Sequence, residues 1–197
     1  MTPAVPRVLS IAGSDSGGGA GVQADLKTIA AWGGYGMTAI TAITAQNTQG
    51  VQAVHPLPVD VVRAQLDSVA ADIAVDAVKI GMLGTPATIE TVAGALAERS
   101  FTNVVLDPVL ICKGNEGGFA QDTDDALKAQ ILPLATFVTP NHFETLALSG
   151  MESIETVEEL AEAAAEEPTE TEAEADADAA EAAETVHKAR AVLEAVA

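Results

Sequence analysis

The sequence predicts an α/β fold with a mainly parallel central sheet covered on both faces. Three observations lead there. Short β-rich runs alternate with longer stretches of helical spacing through the first 150 residues, as in parallel strands joined by crossover helices. The strand runs are nearly continuous in apolar residues, which marks strands buried on both sides. Glycines, amides and lone acids gather just after those runs, and the carboxyl ends of strands are where open α/β sheets hold ligands.

The elements follow in order. Residues 8–12 form the first strand, and a glycine loop leads from it into a helix over 21–31. Residues 37–44 read as one strand and 59–71 as the next helix. A strand at 77–80 precedes a helix over 86–98, where Pro86 suits a first helical turn because its missing N–H costs little there. The series continues with a strand at 104–106, a helix at 123–131, a strand at 137–139 and a surface helix at 155–165. Residues 168–184 are almost entirely Ala, Glu, Asp and Thr, with no apolar stripe to offset their ordering entropy. A helical period resumes with Val186, Ala189, Val192, Leu193 and Val196. Residues 1–151 are therefore expected to form the folded part. Residues 152–185 are expected to be a disordered acidic insert or linker, and 186–197 the start of a helix in an incomplete domain.

With 197 residues, 48% hydrophobic but only 3% aromatic, the chain can bury a sizeable core built from aliphatic side chains. No apolar run approaches the roughly 18 residues that cross a bilayer, and the first residues lack a signal-peptide stretch. Cys112 stands alone, so no internal disulfide forms and a cytoplasmic address fits. The net charge is −20, and roughly half of the 29 acidic residues lie after position 151. Such a field repels phosphate backbones and anionic lipid, which argues against nucleic acid and membrane as partners.

Five segments carry chemistry. Residues 13–21 (GSDSGGGAG) hold five glycines in nine positions, letting backbone N–H groups approach a ligand. A plain tight turn between strand and helix needs the same residues. The spacing is neither a dinucleotide fingerprint nor a P-loop. A strand then ends in Gln46 and Asn47; the Gln46 amide can pair with an aminopyrimidine edge, or both can simply begin a turn. Met82, in Lys79-Ile80-Gly81-Met82, can line a flat ring or fill the core. Asp107 closes an apolar strand and needs a partner, a cation or a function. Asn141 and Glu144 share a face of an opening helix, where they can hold a hydrated Mg²⁺ or form a capping box. The three histidines share no ligand spacing, so no zinc site is expected.

Taken together, residues 7–151 resemble the hydroxymethylpyrimidine/phosphomethylpyrimidine kinases of thiamine biosynthesis, within the ribokinase-like superfamily. The resemblance is carried by residues 9–28 (LSIAGSDSGGGAGVQADLKT), 35–41 (YGMTAIT), 44–48 (TAQNT), 81–83 (GML), 107–109 (DPV) and 139–141 (TPN) with Glu144. It implies a ribokinase-like three-layer sandwich that transfers phosphate from ATP, with Mg²⁺, to the hydroxymethylpyrimidine and then to its monophosphate. It further implies that Gln46 recognises the pyrimidine, that Gly13, Asp25, Met82 and Asp107 surround the substrate, and that Asn141 and Glu144 serve the phosphate and Mg²⁺ region. A homodimer is implied for the complete protein.

Pyridoxal kinase of the same superfamily is the competing resemblance. Cys112-Lys113-Gly114-Asn115-Glu116 looks more like that variant, whereas Gln46 favours the aminopyrimidine. The family's second half, with its glycine-rich anion hole and catalytic base, finds no match in residues 152–197. The expectation is a truncated chain whose base lies beyond it: either a kinase when completed, or a non-catalytic remnant with an exposed sheet edge.

Overall fold

The computed structural model describes residues 5–110, 119–151 and 153–164. Its centre is a five-stranded, all-parallel sheet in the order β2-β1-β5-β6-β7. The strands are β1 (Arg7–Ala12), β2 (Tyr35–Ile40), β5 (Ala77–Ile80), β6 (Val104–Leu106) and β7 (Phe137–Val138). A separate antiparallel hairpin pairs β3 (Ala42–Asn47) with β4 (Gly50–Pro56). The helices are α1 (Gly21–Ala31), α2 (Val59–Asp72), α3 (Pro86–Arg99), α4 (Phe119–Gln130), α5 (His142–Ser149) and α6 (Val157–Ala163).

The chain moves from β1 outward to β2, then crosses back to β5 and continues through β6 to β7. Because parallel crossovers are right-handed, this reversal puts α1 on one face and α2, α3 and α4 on the other. The contacts agree: α1 packs on β1 and β2, α2 on α3, and α3 on α4. The expected parallel sheet covered on both faces is therefore present, with its direction reversing between β1 and β5.

The core explains the apolar strands. Leu9, Ile11, Val78, Ile80 and Leu106 from the sheet are fully buried against Val62, Leu66, Ile89, Val92 and Ile131 from the covering elements. Burying each large aliphatic side chain contributes about 1.5–3 kcal/mol. Pro86 does open α3, behind Thr85, whose hydroxyl accepts the Thr88 N–H at 3.2 Å. Among the described residues no helix is long and apolar enough to cross a membrane.

The stretch 37–44 is not one strand. β2 stops at Ile40 and β3 starts at Ala42, in a different sheet. Thr41 is the joint. Its N–H donates to Ala12 O at 3.1 Å, its hydroxyl to Met82 O at 2.7 Å, and its carbonyl accepts the Leu57 N–H at 2.9 Å. All three partners are distant in sequence, so no local pattern marks the break. The end of β2 is sealed by Gln65 of α2, which accepts the Ile40 N–H at 2.9 Å and donates to the Ile40 carbonyl at 3.0 Å. β4 is also absent from the sequence pattern, because every residue in it is exposed and no buried face imposes alternation.

Boundaries shift elsewhere by a few residues. α4 begins at Phe119 rather than 123, β7 has two residues rather than three, and the helix expected over 155–165 spans Val157–Ala163. The acidic stretch over 168–184, the helix expected from 186 and the Cys112-to-Glu116 segment lie outside the described residues.

Candidate active site

The reversal between β1 and β5 puts a topological switch point at their carboxyl ends, the usual ligand position in open α/β sheets. Most of the candidate residues converge there. Gly13 follows β1, and its N–H donates to Met82 O, two residues past β5, at 3.1 Å. The Met82 methyl lies over Gly13 so closely that a Cβ on Gly13 would stand 2.5 Å from Met82 Cε. Gly13 is thus buried beneath the thioether.

The glycine loop does not hold its N–H groups open. The Asp15 carboxylate collects them itself: Gly17 N–H at 2.7 Å, and Gly19 and Ala20 N–H at 2.8 Å each. Burial pushes the Asp15 carboxyl up, but these backbone donors together with that of Gly18 outweigh it and hold its pKa below the usual carboxylate value. Sequence reasoning gave Asp15 no role. An Asp followed by Ser and three glycines is a signal for a side chain that folds its own loop.

The same loop aims Gln46. Ser14 N–H donates to Ala42 O at 2.8 Å, and the Thr44 N–H and hydroxyl reach Ser14 at 3.0 and 2.9 Å. The Ser16 hydroxyl donates to Gln46 O and accepts the Gln46 N–H, both at 2.7 Å. The Gln46 backbone is fixed by these contacts. Its side-chain amide makes no hydrogen bond among the described residues and is only half-buried. β3 carries it on an exposed hairpin, not on a buried strand: Ile43 and Ala45 face solvent. The amide keeps its full donor and acceptor capacity, which a turn-forming Gln would have spent.

Asp25 and Asp107 meet through a residue the sequence left without a role. Lys79 Nζ on β5 lies 3.4 Å from Asp25 Oδ1 and 3.4 Å from Asp107 Oδ2. Ser10 on β1 donates its hydroxyl to Asp25 Oδ2 at 2.6 Å. Asp107 has the partner that a carboxylate at the end of an apolar strand needs, in Lys79, but its side chain is 39% exposed and so less buried than that place implied. A lysine in an otherwise apolar buried strand requires a counter-charge, and that signal was legible.

Asn141 and Glu144 sit beside this group without joining it. They follow β7, which neighbours β6, and they form a full capping box. The Glu144 N–H donates to Asn141 Oδ1 at 2.9 Å, and the Asn141 N–H donates to Glu144 Oε2 at 2.8 Å. Glu144 is buried, with 7% of its surface exposed. Its second oxygen accepts no hydrogen bond among the described residues, and no bond of the pair reaches Asp107 or Lys79. Among the described residues no three His, Cys, Asp or Glu side chains gather into a metal-binding group.

With this geometry in hand, the relatives are informative. A family model for phosphomethylpyrimidine kinase matches residues 15–192, well over half of the chain. The chain belongs to the phosphomethylpyrimidine kinase family. The match runs past residue 151, where the resemblance was expected to stop. A pyridoxine kinase of Bacillus subtilis is 48% identical over 160 residues, covering 80% of this chain and 59% of that protein. A hydroxymethylpyrimidine/phosphomethylpyrimidine kinase of Haemophilus influenzae is 47% identical over 153 residues, covering 78% and 57%. The crystal structure of Bacillus subtilis pyridoxal kinase in complex with ADP superposes with a TM-score of 0.76 at 46% identity, covering 82% of this chain and 61% of that one. The kinase-family chain thus shares a ribokinase-like α/β fold with it and spans less than two-thirds of the length of each of these relatives.

Proposed function

We propose that this family member serves the ATP-dependent phosphorylation of 4-amino-5-hydroxymethyl-2-methylpyrimidine and of its monophosphate in thiamine biosynthesis. The observation that carries the reading is the Gln46 amide, held by its backbone against Ser16 of the loop that leaves β1, with its own hydrogen-bonding groups uncommitted. One acceptor and two donors match the ring nitrogen and exocyclic amine of an aminopyrimidine. Met82, packed over Gly13, supplies the apolar floor, and Asp25 the neighbouring acceptor. The hydroxymethyl oxygen takes the terminal phosphoryl of ATP and ADP leaves. Asp107, Asn141 and Glu144 line the side on which phosphate charge develops, and catalysis there rests on positioning and electrostatics.

Mg²⁺ fits this side. The free oxygen of the buried Glu144 and the neighbouring Asn141 offer few protein ligands, and Mg²⁺ prefers to keep waters and substrate phosphates in its shell. When bound it would offset the charge of the phosphates. None of these residues is assigned as the catalytic base. A cytoplasmic homodimer completes the proposal, with sedimentation velocity as its check.

The 48% identity to a pyridoxine kinase favours a second reading, phosphorylation of pyridoxal at the same site. One assay separates the two. The 197-residue chain is incubated with ATP, Mg²⁺ and either compound, and phosphorylated product is followed by mass. Product from the pyrimidine supports the first reading, product from pyridoxal alone the second. Gln46→Ala should raise the dissociation constant for the pyrimidine at least tenfold; unchanged affinity removes its assigned role.

A further inference from the structure

We propose that Lys79 is a positioning residue whose ammonium clamps Asp25 and Asp107 together across the carboxyl ends of β1, β5 and β6. The clamp rests on the function proposed above, because it takes these two acids as site residues. Lys79 is on β5, which runs between β1 and β6. Asp25 reaches it from α1 and Asp107 from the residue after β6, so three elements meet on one charge.

The arrangement has the marks of a held geometry. Both oxygens of Asp25 are engaged, Oδ2 by Ser10 at 2.6 Å and Oδ1 by Lys79 at 3.4 Å. The ammonium stands equally far from both acids, longer than an optimal N–H···O bond, so it bridges them instead of serving one. Its room depends on Gly81: a Cβ there would lie 2.9 Å from Lys79 Nζ and 3.0 Å from Ala12 Cβ. The group is partly shielded, with side-chain exposures of 26% for Lys79, 16% for Asp25 and 39% for Asp107. One cation against two carboxylates leaves a single net negative charge. Without it, the more exposed Asp107 turns to water and Asp25 keeps only Ser10. The clamp therefore ties the acid proposed beside the pyrimidine to the acid proposed beside the phosphate.

A double-mutant cycle tests this on the full chain. Lys79→Met, Asp25→Asn and the double variant are titrated calorimetrically with the hydroxymethylpyrimidine, without ATP. Lys79→Gln replaces Lys79→Met if the latter does not fold. Each single variant should weaken binding about tenfold, roughly 1.4 kcal/mol. The double variant should bind within about twofold of the weaker single, because Lys79 acts through Asp25. A merely structural lysine would give losses that multiply, and that result, or wild-type affinity in Lys79→Met, overturns the proposal. If the unaltered chain binds neither the pyrimidine nor pyridoxal, the functional reading fails. The same cycle run on unfolding free energy then decides the clamp alone: coupling sustains it and strict additivity removes it.

Discussion

Gly21 is the first residue of α1, with a φ of +55°, and it stands against the loop that leaves β1. Substituting alanine perturbs two things. An L-residue in left-handed backbone costs about 1–2 kcal/mol. The new Cβ would also lie 2.4 Å from Gly13 O, 3.0 Å from Ser14 C and 3.1 Å from Asp15 N, all backbone atoms that cannot rotate away. Gly13 O accepts the Val22 N–H at 3.0 Å, so relieving the clash breaks that bond, a further 0.5–1.5 kcal/mol or so. The expected destabilisation is about 2–3 kcal/mol. Gly33→Ala is the internal control, since its φ is +78° but nothing lies within 4 Å of its Cβ position. It should cost only the backbone strain. Urea unfolding followed by circular dichroism gives both values if m is unchanged. Fluorescence suits poorly, because the single Trp32 is already exposed in the fold. Equal losses for Gly21→Ala and Gly33→Ala would refute the argument that α1 is wedged against the Gly13–Asp15 backbone.

Three further outcomes are expected. Arg7 holds Asp76 through three N–H donors, its guanidinium Nε and Nη2 at 2.9 and 2.8 Å and its backbone at 2.8 Å, and this lowers the Asp76 carboxyl to about 2. A lowered folded pKa contributes stability above the unfolded value of roughly 3.9. That contribution is lost as pH falls through about 2, so Asp76→Asn should flatten the stability profile between those pH values in acid titrations of the unfolding midpoint. Asn141→Ala removes the α5 capping box and should lower unfolding free energy by about 1 kcal/mol; a loss well under that would separate Asn141 from helix capping. Asp15→Ala frees the N–H groups of Gly17, Gly19 and Ala20, and amide exchange at these three positions should quicken relative to α1. Unaltered protection would mean that the loop holds without its carboxylate.

Much of this protein was legible along the chain. The parallel sheet follows from near-continuous apolar runs, because strands buried on both faces cannot tolerate alternation. Gly13, Met82 and Asp107 stand just beyond the ends of β1, β5 and β6, and that shared end of the sheet follows from strand–helix alternation itself. Three features required the tertiary structure. Thr41 splits one apolar run between two sheets by bonding to Ala12, Met82 and Leu57, partners that no local window contains. The capping box and the metal reading of Asn141 and Glu144 share one spacing, and only the fold shows that one Glu144 oxygen is spent on the helix end. Lys79 joins Asp25 to Asp107 across gaps of 54 and 28 residues. Sequence records which charges a buried strand carries, but a counter-charge is chosen by proximity in space, and the crossing of β1, β5 and β6 decides that proximity.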